Sequence, residues 1–253
     1  MSGPAIETGR AGSPLVSLGN FLFRHRNLLF PVVFLAVVLL DRPRYPFGSA
    51  AADRVLDVAG ILLAAAGQAL RVLVIGLDYI IRGGRAGKVY AEDLVTGGLF
   101  AHSRNPLYVG NIAVFVGLLV ILNSPLGWLF GVPAVLVAYR AIVAAEEDFL
   151  RRKFGAPYDE YCRDVPRFLP AWRGLGATIR SMPFDWRRVV RKEYGSTFAW
   201  VTGVLGLLVW ERAAVDGWAS VRPDLASYGG FWLAALVLYG IARFLKKTKR
   251  LQD

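Results

Sequence analysis

The sequence predicts an all-α fold, a polytopic membrane helix bundle of six transmembrane helices, with five as the alternative. Three observations support this fold class. The 253 residues are 55% hydrophobic, and their mean hydropathy of +0.43 is too high for an ordinary soluble domain. The apolar residues cluster into segments near the ~17–25 residues that span a hydrocarbon core. Lys and Arg alternate between the connecting segments, as the positive-inside rule requires.

The predicted membrane-crossing segments are 22–40, 55–77, 107–122, 126–145, 197–215 and 229–245. The first is the weakest, because its uninterrupted apolar run covers only Leu28–Leu40. It spans the membrane if Arg24 and Arg26 extend to the interface. The alternative is an interfacial helix.

The second segment presents two different helical faces. Gly60, Ala64 and Gly67 share one face, with the spacing of small residues that lets membrane helices approach closely. Another face carries polar residues, namely Gln68, Arg71 and Asp78. Polar groups at membrane depth usually face a bundle interior or a cavity, so these residues are candidates for binding a substrate. The alternative is that Arg71 and Asp78 pair along the helix or extend to the interface.

The net charge of +11 has a topological explanation. In a soluble protein it would suggest nucleic-acid binding. Here Lys and Arg are concentrated in 78–106, in 146–196 and in the C-terminal tail, and are absent from 123–125. This distribution predicts that both termini and the two long polar loops face the cytoplasm, and we expect no nucleic-acid partner. No cleavable signal peptide is predicted, and the Ala-, Arg- and Val-rich composition favours a bacterial inner membrane.

Cysteine and histidine are scarce in this chain. Cys162 is the single cysteine, and the two histidines are His25 and His102. One cysteine excludes an intramolecular disulfide and a cysteine zinc site. On these residues the sequence predicts no metal site.

Two motifs flank a predicted helical hairpin whose turn is Asn123–Ser124–Pro125. The first is AHSRNPLYVGN at 101–111, and the second is EEDFLRRKFGAPYDEYCRDVPRFLP at 146–170. Their order and content resemble the membrane-embedded methyltransferase family of isoprenylcysteine carboxyl methyltransferase and the bacterial phospholipid N-methyltransferases. The first motif stands where that family carries R-H/N-P-x-Y-x-G, and the second matches its E-E-x-x-L-x-x-x-F-G-x-x-Y-x-x-Y run. The resemblance covers roughly residues 60–170.

This resemblance implies methyl transfer that depends on S-adenosyl-L-methionine, with a lipid or amphipathic acceptor that resides in the membrane. It also implies a cytoplasmic cofactor pocket. The chain carries no Gly-rich strand-to-helix loop, so such a pocket must be built from helix ends and loops. The alternatives are a non-catalytic membrane scaffold and a small-solute transporter.

The first motif supplies candidate cofactor-binding groups. Asn105 is a predicted N-cap and Pro106 a predicted first helical residue, and the exposed N–H groups of that helix start favour an anion such as the cofactor's carboxylate. Arg104 can add a charge-assisted contact. The other candidates of this motif are His102, Tyr108 and Gly110. The alternative is a plain helix start beside a positive-inside arginine.

The second motif supplies candidate catalytic residues, namely Glu146, Glu147 and Arg167. The two carboxylates point about 100° apart on a helix, so they cannot serve one site identically. One can contact the cofactor's ammonium group, and the other can orient an arginine or accept a proton from the acceptor. The alternative is surface pairing at i,i+4, Glu147 with Arg151 and Asp148 with Arg152. The resemblance further implies that Tyr158, Tyr161 and residues 165–168 fold over the cofactor.

These features divide the chain into four regions. Residues 1–20 form a flexible N-terminal segment and 21–170 the membrane methyltransferase core. Residues 171–196 form a basic interfacial segment. Residues 197–253 form a C-terminal transmembrane hairpin with a basic tail.

Overall fold

The structure, a computed structural model, describes residues 13–77 and 91–251. The elements in these ranges are helices and turns, without a strand. The α-helices are α1 Pro14–Leu40, α2 Ala50–Leu77, α3 Pro106–Leu122, α4 Val132–Phe154, α5 Ala156–Asp164, α6 Leu175–Ser181, α7 Trp186–Asp216, α8 Trp218–Val221 and α9 Leu225–Lys247.

Five of the described helical stretches are long and apolar enough to cross a membrane, namely 14–40, 50–77, 127–154, 186–216 and 218–247. Four of them contain a predicted segment, and 127–154 contains all but the first residue of the segment predicted at 126–145. The remaining predicted segment lies in α3, which is apolar but has only 17 residues. The polytopic helical bundle predicted from the sequence is therefore confirmed.

Helices α2 and α3 form the most extensive helix pair of the bundle, and small residues bring them together. A Cβ placed on Gly60 would lie 2.6 Å from the carbonyl oxygen of Gly117, and one placed on Gly67 would lie 2.6 Å from the carbonyl oxygen of Gly110. Neither position can hold a larger residue without moving the partner backbone. The small-residue face predicted on α2 is thus the face that contacts α3.

Helix α1 packs along α4. Leu22 and Phe23 are buried against Tyr139 and Ile142 in one apolar cluster. Pro31 lies inside α1, where it removes one intrahelical hydrogen bond. At 27 residues, α1 has the length that the first predicted crossing required.

The turn after α3 carries the chain back towards its starting end. Asn123 has a left-handed φ of 42°, and a π-helical stretch at Gly127–Gly131 leads into α4. A residue with a short polar side chain tolerates this conformation better than most. As predicted, the turn carries the two motifs to the same end of the bundle.

Helix α7 begins earlier than the sequence indicated. Asp185 is its N-cap and accepts a hydrogen bond from the backbone N–H of Arg188, and this bond lowers the pKa of the Asp185 carboxyl. Residues 186–196, which sequence analysis grouped with a basic interfacial segment, form the first turns of this continuous helix. The basic composition concealed the helix start, because Arg and Lys on an exposed helix face look like a surface segment.

Replacing Gly67 by alanine should destabilise the protein by about 1–3 kcal/mol, because the added methyl group pushes α2 away from the α3 backbone. The matched control is Gly206→Ala in α7, where a Cβ meets no atom within 4 Å. Thermal unfolding of both purified variants in detergent measures the difference. Equal melting temperatures would contradict the tight contact between α2 and α3.

Candidate active site

A buried ion-pair cluster joins the two motifs. Glu147 of α4 is only 3% exposed. Its two carboxylate oxygens accept hydrogen bonds from Nε and Nη2 of Arg167 at 2.8 and 2.7 Å. Nη1 of Arg104 lies 3.1 Å from the same carboxylate, and Nη1 of Arg151 lies at 3.9 Å. The predicted surface pair with Arg151 is therefore the weakest of three contacts.

The chain after α5 runs alongside the first motif. Five hydrogen bonds join residues 102–105 to residues 166–171: Arg104 N to Pro166 O, Asn105 Nδ2 to Arg167 O, Ser103 Oγ to Phe168 O, Ala171 N to His102 O, and one between His102 Nδ1 and Ala171 O. Their lengths lie between 2.8 and 3.0 Å. Residues 165–168, which the resemblance assigned to a cover over the cofactor, are thus fixed to the motif loop.

Asn105 and His102 both bond to the chain that follows α5. Asn105 stands at the N-cap position of α3, but its side chain makes no capping bond. Its amide Nδ2 donates to the carbonyl of Arg167. The ring nitrogens of His102 lie 2.8 Å from the carbonyl oxygen of Ala171 and 2.9 Å from Oγ1 of Thr178. His102 therefore ties the segment that contains α6 to the motif loop.

Tyr158 and Tyr161 belong to a packed cluster behind the motif loop, with Leu150 and Val165. The hydroxyl of Tyr161 donates to the carbonyl oxygen of Phe100 at 2.7 Å. Burial, and after it the nearby Glu147 carboxylate, raise the pKa of Tyr158 far above its ordinary value. Its phenol is neutral at every physiological pH.

A cavity of about 720 Å³ lies between α1, α2, α3, α4 and α7. This volume is within the range of small-molecule sites. The predicted site residues that line it are Gln68, Arg71, Arg104, Asn105, Pro106, Tyr108 and Glu146. The described site candidates that do not line it are His102, Gly110, Glu147, Tyr158, Tyr161 and Arg167. Asp78 falls outside the described residues.

The two neighbouring glutamates have separate environments. Glu146 faces the cavity and accepts a hydrogen bond from the hydroxyl of Tyr108, and Nη1 of Arg26 lies 3.5 Å from the same hydroxyl. Glu147 instead contacts the arginines behind the motif loop. The divergence expected from helical geometry is confirmed.

Arg71 has a partner that sequence reasoning missed. Its Nε and Nη2 donate to the two carboxylate oxygens of Glu193 on α7 at 2.8 and 2.7 Å, and Nε2 of Gln68 donates to the same carboxylate at 3.1 Å. Arg71 also contacts Asn111 of α3. Glu193 is 3% exposed. Glu193 directly follows the Arg- and Lys-rich residues 187–192. This lone acid was the signal in the sequence that could have indicated the partner of Arg71.

Gly110 has a steric role in this arrangement. A Cβ at this position would lie 2.6 Å from Cγ of Arg71 and 2.8 Å from the carbonyl oxygen of Gly67. Because Gly110 has no side chain, the aliphatic part of Arg71 can pass close to α3 and reach Glu193. The structure thus shows a spacing function for Gly110, and its predicted contact with the cofactor stays a prediction.

Arg104 keeps one donor unused where the cavity meets the motif loop. Its Nε is buried and has no hydrogen-bond partner among the described residues, although its Nη1 contacts Glu147. A buried unpaired donor costs about 1–3 kcal/mol.

Comparison with known proteins finds a family match and several relatives. A family model for phospholipid methyltransferases matches residues 56–157. A nickel-cobalt-cadmium resistance protein of Alcaligenes xylosoxydans xylosoxydans is 30% identical over 171 residues, 66% of this chain and 72% of the relative. A cobalt-zinc-cadmium resistance protein of Cupriavidus metallidurans is 32% identical over 164 residues, 61% of this chain and 68% of the relative. The chain belongs to the phospholipid methyltransferase family.

Human protein-S-isoprenylcysteine O-methyltransferase is 29% identical over 125 residues, which cover 47% of this chain and 43% of the relative. These similarities and the apolar helices identify an integral membrane methyltransferase. No solved structure matches the chain. The family match begins after α1 and ends before α7, so two walls of the cavity lie outside it.

Substitution of Glu147 by glutamine should destabilise the protein by about 3–5 kcal/mol, because it leaves Arg104 and Arg167 without their buried counter-charge. The matched control is Asp148→Asn. Asp148 pairs with Arg152 on the surface, so its loss should cost less than about 1 kcal/mol. Unfolding in detergent by heat or denaturant compares the two variants. Similar losses would mean that the Glu147 cluster does not hold the motifs together.

Proposed function

We propose that the protein transfers a methyl group from S-adenosyl-L-methionine to a lipid or amphipathic acceptor that resides in the membrane. The observation that carries this proposal is the cavity, which combines motif side chains with an apolar lining that includes Phe30, Phe115 and Trp200. A donor and an acceptor can meet there without water. Much of the catalysis would come from holding the two in a reactive geometry.

The motif loop is the proposed donor end of the cavity. Arg104, which lines the cavity, offers its guanidinium to the carboxylate of the cofactor, and the start of α3 at Pro106 offers backbone N–H groups to the same charge. Tyr108 presents an aromatic ring to the cofactor's adenosine. When bound, the cofactor supplies a methyl group on a positively charged sulfur. The protein's part is to bind it, orient it and exclude water.

Lateral access from the bilayer is supported by the packing of α1 and α7. Both helices are fully described and both line the cavity, but they do not pack against one another as α2 and α3 do. Where α7 faces the cavity it carries small residues, namely Gly195, Ser196, Ala199 and Gly203. An apolar chain lying between these helices would not leave the membrane to deliver its head group.

The two glutamates receive different proposed roles. Glu146 faces the cavity and is the proposed acceptor of a proton from an amine or hydroxyl that becomes methylated. Glu147 and Arg167 are positioning residues, because they act through Arg104 and the motif loop. Gln68 and Arg71 line the cavity beside Glu193 and are proposed to contact the acceptor's head group.

The proposed location is a bacterial inner membrane, with both termini and the active site on the cytoplasmic side. The asymmetric distribution of Lys and Arg supports this orientation, and it gives the site access to cytoplasmic cofactor. The metal-resistance names of two relatives specify no reaction and do not change the proposal. The intact motif residues argue against a scaffold without activity.

Substitution of Arg104 by alanine should weaken cofactor binding by about 10- to 150-fold, because a charge-assisted hydrogen bond contributes ~1.5–3 kcal/mol. Binding isotherms in detergent measure the effect. Arg140→Ala, which removes an exposed arginine of α4, is the matched control and should bind as the wild type does. Arg104→Lys tests the charge alone if the alanine variant fails to fold. Unchanged affinity in a folded alanine variant would show that Arg104 does not anchor the cofactor.

Methyl groups from labelled cofactor should appear in the lipid-extractable fraction of membranes that contain the protein. Glu146→Gln should reduce the transfer rate by roughly 100-fold for an amine or hydroxyl acceptor, the usual size of a general-base effect. A carboxylate acceptor needs no base, so an unchanged rate identifies that class. Glu160→Gln, which removes an exposed carboxylate of α5, is the control. Label confined to water-soluble molecules would overturn lateral entry.

A further inference from the structure

A second buried polar cluster lies at the end of α2 and α7 that is remote from the motifs. Asp53 and Asp57 stand in the first turns of α2, and Glu211 stands near the C-terminal end of α7. Along α2, Asp53 is about five helical turns and roughly 27 Å from Arg71. The cluster is therefore separate from the cavity and from the site of methyl transfer.

The three carboxyl groups converge on one point. One carboxylate oxygen from each of Asp53, Asp57 and Glu211 lies within 4.8 Å of the other two. Asp53 is 5% exposed and Glu211 is 2% exposed, so water reaches neither of them freely. The convergence depends on two different helices, because Glu211 comes from α7 and points at the aspartate pair of α2.

Oxygen atoms in this cluster lack partners. Oε1 of Glu211 is buried and has no hydrogen-bond donor among the described residues, and the same holds for Oδ1 of Asp53 and Oδ1 of Asp57. A buried carboxylate oxygen without a donor is costly. An ordinary structural role would leave these atoms bonded to backbone N–H groups or to side-chain donors.

The three carboxyl groups make no ion pair among the described residues, whereas Glu193, the buried acid at the motif end of α7, does. At the motif end of the same helix pair, Glu193 is neutralised by Arg71. At this end the nearest basic side chain of α7, Arg212, pairs with Asp224. Arg54 of α2 is exposed and makes no ion pair with the three carboxylates among the described residues.

We infer that Asp53, Asp57 and Glu211 bind a divalent cation of the hard, oxygen-preferring class. Three carboxylates provide the ligand type that Ca²⁺ and Mn²⁺ favour, and they offer none of the imidazole or thiolate ligands typical of zinc. Ca²⁺ binds oxygen at about 2.3–2.6 Å, so two ligands on opposite sides of the ion lie roughly 5 Å apart at most. The three oxygens, all within 4.8 Å of one another, fit that limit.

A cation at this point would clamp α2 to α7 at the end remote from the motifs, as the Arg71–Glu193 pair does beside the cavity. The rival explanation is that protons shared between the carboxyl groups remove the charge. The two explanations differ in one measurable respect, because only the first makes the stability of the protein depend on a metal ion.

The test uses the full chain purified in detergent and stripped of metal with a chelator. Electron paramagnetic resonance should then detect binding of added Mn²⁺, and Ca²⁺ should displace it. Glu211→Gln should weaken Mn²⁺ binding by roughly tenfold or more, since it removes one charged ligand. Asp224→Asn, which removes a partly exposed carboxylate outside the cluster, should bind Mn²⁺ as the wild type does.

Thermal unfolding provides the second measurement. Ca²⁺ should raise the melting temperature of the stripped wild type, and at the same concentration it should raise that of Glu211→Gln less. If Glu211→Gln does not fold, Asp57→Asn replaces it, because Asp57 is the least buried of the three. Absence of Mn²⁺ binding at millimolar concentration, with a melting temperature unaffected by Ca²⁺, would overturn the cation site and leave shared protons as the explanation.

Discussion

The buried carboxylate of Glu147 is the contact on which the motif end of the bundle depends. It accepts two hydrogen bonds from Arg167 and lies within ion-pair distance of Arg104. These arginines belong to segments that precede α3 and follow α5, so one carboxylate fixes three parts of the chain. Burial makes the cluster strong as a unit and costly to break. The neighbouring Glu146 faces the cavity instead, which is why two adjacent acids can serve structure and chemistry separately.

The cavity exists because two helix pairs and α7 leave space between them. Glycines bring α2 and α3 into close contact, and α1 packs on α4. Helix α7 closes one side by the Arg71–Glu193 pair, while its small residues leave the cavity open along its length. Only the central part of this assembly is matched by the family model. The walls contributed by α1 and α7 lie outside that match.

Helices α2 and α7 carry buried charge at both ends, and the two ends are balanced differently. Near the motifs, Glu193 meets Arg71 within the protein. At the remote end, Asp53, Asp57 and Glu211 meet one another. In a bilayer, buried charge without compensation is expensive. The buried charge at the first end is neutralised within the protein, whereas neutralising the charge at the second end takes a metal ion or protons from the solvent.

The sequence by itself determined the helical segments and the meeting of the two motifs. The length of an apolar segment can be read from that segment alone. A short turn at 123–125 must return the chain to the same end of the bundle. It also predicted that Glu146 and Glu147 diverge, because that follows from helical geometry. The tertiary structure alone decided which residues line the cavity, that Asn105 donates to Arg167 rather than capping α3, and that Arg71 meets Glu193. These outcomes depend on how helices far apart in the chain pack together, and side-chain partners across such a crossing leave no local pattern in the sequence.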